Sequence, residues 1–93
     1  MPFDPVQLDD VTKLLIEGRE RIERGWCKYN LQLGNAVCAL GAIGWGERPS
    51  ETKIEARRRL SAAVGTDRIP HWNDAPERTK QDILDAFDAA IAG

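Results

Sequence analysis

A chain of 93 residues suits one domain with one modest core, burying a little over ~60% of its unfolded surface. Its 13 Lys and Arg against 15 Asp and Glu, mixed along the chain, leave a net charge of -2, which excludes a general attraction to nucleic acid or to an anionic membrane. Either function would need a local patch. The opening MPFDPVQLDD lacks the positive and apolar regions of a secretory signal, so the expected compartment is the cytoplasm, where two cysteines are expected as free thiols.

Pro2 and Pro5 make the start irregular. A first helix then opens with Asp9 or Asp10 as N-cap and Leu8 as a hydrophobic staple. Val11, Leu14, Leu15, Gly18 and Ile22 share its apolar face, Glu17 with Arg21 and Glu20 with Arg24 are spaced as i,i+4 pairs, and Gly25 is the natural stop. A glycine on the apolar face of a helix invites close approach by another element, and the apolar run further on is the expected one. Between these, residues 28–33 alternate polar with apolar and lead into Gly34-Asn35, which predicts a short strand, a turn and a small hairpin leaning on the helices.

The run AVCALGAIGWG at 36–46 contains no Asp, Glu, Lys or Arg in a sequence that is 30% charged. Its alanines, and its alternation of small with large residues, predict a helix buried on every side, too short for the roughly 20 residues a bilayer needs. After a loop over 44–49, Ser50 caps a third helix that runs to about Val64 and stops at Gly65. Ala56, Leu60, Ala63 and Val64 give it a thin apolar face with Ile54 at the edge, opposite Lys53, Arg57 and Arg58 with Arg59 beside them, so a peripheral place is expected. Residues 66–76 read as a loop bracketed by Pro70 and Pro76. Thr79 with Asp82 resembles a capping box ahead of a last helix carrying Ile83, Leu84, Phe87, Ala90 and Ile91. The fold class is therefore mainly α: about four helices bundled around a short apolar central one, with a small β-hairpin between the first two.

Few residues carry chemistry. Cys27 or Cys38, His71 and the neighbouring Asn73 or Asp74 are the ingredients of cysteine nucleophile catalysis, yet Asn73 and Asp74 sit close to the histidine in sequence and isolated cysteines commonly pack as small hydrophobes. The cysteines lie ten residues apart with no C-x2-C or H-x3-H clamp, so neither a metal site nor a cofactor is expected. Trp72-Asn73-Asp74, together with His71, reads either as a recognition loop or as a plug and cap, with the tryptophan in the core and the Asx side chains on backbone amides. Trp45, flanked by glycines, is a candidate interface anchor. Lys53, Arg57, Arg58 and Arg59 could contact phosphates, but no aromatic residues interleave with them to stack bases.

Gly25-Trp26-Cys27, the stretch VCALGAI at 37–43, Trp72-Asn73-Asp74, and Arg78-Thr79 leading into a helix that ends in FDAAI at 87–91 together resemble a family of small bacterial proteins known only as a domain of unknown function. The resemblance implies a compact domain and supplies no catalytic residues. The function expected is a small cytoplasmic interaction or regulatory protein, an inhibitor or accessory factor with a protein partner or a second copy of itself, and no membrane. The alternatives are a thiol-dependent enzyme or redox protein, and nucleic-acid binding through the arginine helix.

Overall fold

The computed structural model describes residues 9–93; the expectations placed on Pro2, Pro5 and Leu8 lie outside them. The fold is mainly helical, with five helices and one two-stranded hairpin among the described residues, ordered α1 (Asp10–Arg24), β1 (Gln32–Leu33), β2 (Ala36–Val37), α2 (Ala39–Ala42), α3 (Glu51–Val64), α4 (Ile69–Asp74) and α5 (Lys80–Ala92).

Local chemistry sets the ends of the long helices. The Asp9 carboxylate accepts from the Thr12 amide at 2.7 Å and opens α1, and Gly25 closes it. Ser50 accepts from the Lys53 amide at 3.2 Å, and Gly65, at φ 80°, ends α3 in the left-handed region that glycine adopts freely. Thr79 and Asp82 form a reciprocal capping box at the start of α5, with bonds of 3.2 and 2.9 Å.

These three helices enclose the core. Leu15 and Ile22 from α1, Ala56 and Leu60 from α3, and Ile83, Phe87 and Ala90 from α5 are all buried, joined by Leu40, Ala42 and Ile43. The third helix is thus a full member of the bundle and not peripheral, because Ala56 and Leu60 reach the centre even though Ala63 and Ile54 are exposed. Gly18 does mark a close approach: a Cβ there would stand 2.8 Å from Phe87 Cε1 and 3.2 Å from the Ala42 carbonyl. The approaching elements are α5 as well as the apolar run.

That run is not one helix. Ala36 and Val37 pair with Leu33 and Gln32 across the Gly34-Asn35 turn, Cys38 caps a single turn at Ala39–Ala42, and Gly44, at φ 75°, turns the chain away. The Trp45 amide bonds the Leu40 carbonyl at 3.1 Å. Gly41, Gly44 and Trp45 are half-buried and Gly46 exposed, so burial on every side holds only for 37–40, 42 and 43. The second correction is α4. Pro70 marks no loop here, since a proline in the first turn of a helix loses no hydrogen bond, and the fully buried Ile69 anchors that turn. The pairs Glu17–Arg21 and Glu20–Arg24 are also not formed: the Arg21 guanidinium donates instead to the Ala42 carbonyl at 2.7 Å, and Arg19 pairs with Glu23 and with Asp88 of α5. No helix among the described residues is long and apolar enough to cross a membrane.

Candidate functional site

The hairpin would be marginal alone; Val37 bonds Gly25 and Cys27, and α4 in turn holds the segment 26–29 that precedes the hairpin. Asn73 is fully buried and uses all four of its hydrogen-bonding positions. Its Oδ1 accepts from Trp26 Nε1 at 2.9 Å and from the Ala39 amide at 3.1 Å, while Nδ2 donates to the Cys27 carbonyl at 3.1 Å and to Asp74 Oδ1 at 3.0 Å. Asp74 Oδ1 in turn accepts from the Tyr29 amide at 2.9 Å, and Lys28 Nζ donates to the Ala75 carbonyl at 2.8 Å. The Trp-Asn-Asp triplet therefore caps backbone groups, though distant ones and not its own turn. Trp72 packs against the core with the Arg78 guanidinium 4.3 Å from its ring centre.

What this node presents outward is the segment leading into the hairpin and its first strand. Three of the four large hydrophobic residues exposed to solvent among the described residues fall within 29–33: Tyr29 at 76%, Leu31 at 39% and Leu33 at 61%, the fourth being Ile54. Tyr29 also adopts φ 69°, a left-handed conformation that a bulky residue rarely takes. Its amide is held there by Asp74.

The thiols are placed for packing. Cys38 is buried, and its Sγ accepts from the Gly41 amide at 3.4 Å. Cys27 Sγ donates to the Asn30 carbonyl at 3.4 Å. Burial pushes the Cys27 thiol up from its ordinary value, with Cys38 and the Asp74 carboxylate adding to the effect, so it stays protonated near neutral pH. His71 lies exposed on α4, about 200° around the helix from Asn73, and no hydrogen bond joins it to either thiol. Among the described residues no cluster of His, Cys, Asp and Glu is arranged to hold a metal ion.

The basic residues of α3 are dispersed. Arg57 stacks 5.0 Å from the Trp45 ring centre and bonds the Asp67 carbonyl at 3.3 Å, lining with Arg58 a groove of about 730 Å³. Arg58 itself projects into solvent beside Glu55. Arg59 turns towards Thr12, Asp9 and Glu55. Lys53 turns to the other side, crossing Gly44 to donate to the Arg48 carbonyl at 3.1 Å, and lines a second groove of about 540 Å³ between α1, the hairpin and the chain joining α2 to α3. Trp45 is half-buried against the core, carries the Arg57 guanidinium over its ring and lines the first groove.

Sequence reasoning missed Tyr29, Leu31 and Leu33 as exposed residues, and it missed Arg21 and Arg24, which line the second groove.

The fold and this node define a small helical domain in which a buried asparagine fixes the segment leading into a short hairpin. The chain belongs to a family of unknown function, DUF6197, whose model matches residues 7–93, in keeping with the resemblance carried by its Gly-Trp-Cys and Trp-Asn-Asp motifs. Comparison with curated proteins and with solved structures gives no match.

Proposed function

We propose that this is a small cytoplasmic, bacterial interaction or regulatory domain, an accessory factor or inhibitor that docks on a protein partner through its hairpin. One observation carries the reading: Tyr29, Leu31 and Leu33 are exposed on a single short segment, fixed by Asp74 at the Tyr29 amide, by the Cys38 amide at the Leu31 carbonyl and by strand pairing of Leu33 with Ala36. Contiguous exposed apolar residues on a soluble domain mark interaction surfaces, and Tyr is enriched where such surfaces bind. The backbone strain at Tyr29 supports it further, because strain of this kind persists only where the surroundings impose it and concentrates at functional segments.

The test compares partner capture and light scattering for the native protein and for Leu33→Glu, with Ile54→Glu as a control at another exposed apolar residue. The reading expects capture, or self-association, that Leu33→Glu abolishes and Ile54→Glu leaves intact. A lone monomer that captures nothing, or capture indifferent to Leu33, would overturn it.

A further inference from the structure

The groove between α1, the hairpin and the chain joining α2 to α3 carries a charge that the acidic chain as a whole does not. Arg21, Arg24 and Lys53 line it, against one carboxylate, Glu47. None of the three cations forms an ion pair among the described residues, whereas Arg19, Arg58, Arg59 and Arg78 each have an Asp or Glu partner. Arg21 and Lys53 each give one donor to a backbone carbonyl, Ala42 and Arg48, which orients the side chain without neutralising it and leaves further N–H groups unused. Arg24, exposed, makes no side-chain hydrogen bond among the described residues.

Between these cations the groove is mixed: Leu14 and the edge of Val37 give it an apolar floor, with Ile43 buried beneath, and the hairpin side adds the amides of Gln32 and Asn35. Neighbouring space continues past Gln32 and Glu47 to the exposed Leu31. Cations flanking an apolar lining fit a ligand that presents carboxylates and aliphatic side chains by turns. A bare phosphate would satisfy the cations and leave the lining wet. No aromatic ring lines the groove, so a nucleic acid would find charge but no surface on which to stack a base.

We propose that this groove binds an acidic peptide segment of a protein partner, with its carboxylates on Arg21, Arg24 and Lys53 and an aliphatic side chain over Leu14 and Val37. The proposal rests on the interaction reading and names the chemistry of the partner.

An array of random peptides probed with the purified protein tests it, followed by fluorescence anisotropy on the peptides that bind. Bound sequences are expected to be rich in Asp and Glu interspersed with Leu, Ile or Val, and to weaken as salt rises. Arg24→Glu and Lys53→Glu should each lower affinity by about tenfold, with Arg58→Glu unchanged. Arg24→Gln, which keeps the side chain long and polar, guards against an effect of the reversed charge on folding and should weaken binding in the same direction. Enrichment of neutral or basic peptides, no enrichment, indifference to both groove variants, or equal affinity for a single-stranded oligonucleotide of matched charge would each overturn the proposal. A partner lost with Leu33→Glu but kept with Arg24→Glu and Lys53→Glu would remove this inference and leave the interaction reading standing.

Discussion

Asn73 Oδ1 and Trp26 Nε1 meet at 2.9 Å across 47 positions of sequence, and the same oxygen takes the Ala39 amide. One buried side chain thus ties the segment after α1, at Trp26 and Cys27, and the start of α2 to α4. Replacing it with alanine removes four bonds at once and strands the Ala39 amide and the Cys27 carbonyl away from water. Asn73→Ala should cost about 3 kcal/mol, read as a lower urea midpoint, while Trp26→Phe, which removes one bond and keeps most of the ring, should cost about 1 kcal/mol. Equal losses for the two would show that Asn73 does not organise the node.

Two glycines report on packing at different stringency. A methyl group at Gly18 meets the Phe87 ring edge, which can shift, and alanine gains helix propensity there, so Gly18→Ala should destabilise by about 1–2 kcal/mol net. At Gly41 the methyl would overlap the Leu31 carbonyl oxygen, with the carbonyl carbon at 2.8 Å. Backbone cannot yield as a ring does. Gly41→Ala should be the more damaging of the two, and chemical denaturation of both variants ranks them.

Tyr29 separates stability from function. At φ 69°, and mostly exposed, it contributes strain and little packing, so Tyr29→Gly should leave stability unchanged or raise it by up to about 1 kcal/mol. The same change should weaken partner capture. Lost stability would mean that the ring packs, and unchanged capture would mean that it does not bind.

Cys27 predicts a slow thiol. Its folded pKa lies above the unfolded value of about 8.5, so the proton it retains stabilises the fold fully below that value, and the contribution is lost as pH rises through the folded pKa. Alkylation of Cys27 near neutral pH should run well behind that of a denatured control and catch up only in alkali, with the buried Cys38 slower still. A fast thiol near neutral pH would reopen the thiol-dependent reading.

The helix ends were legible in the sequence because capping is local: Asp9, Ser50, Thr79 with Asp82, Gly25 and Gly65 act within a turn of themselves. The presence of a small hairpin was legible in the same way, from alternation ahead of Gly34-Asn35, but of the expected strand 28–33 only Gln32 and Leu33 pair, residues 28–31 being bent. The apolar run at 36–46 was misjudged because composition reports burial without reporting which neighbour supplies it. Val37 is buried as a strand residue and Ala42 as a helical one. The role of Asn73 depends on partners 34 to 47 residues away, and the cations of α3 part company, Lys53 lining one groove, Arg57 and Arg58 another and Arg59 turning to Asp9 and Glu55, which no spacing rule along one helix reveals.

The most direct test of the account is a photo-crosslinking amino acid placed at position 33 and, separately, at position 54, with products from the native host identified by mass spectrometry. Docking through the hairpin predicts one reproducible adduct from position 33, with a protein partner or a second copy of the chain, and none from position 54. The same adducts from both positions, or none from position 33, would contradict it.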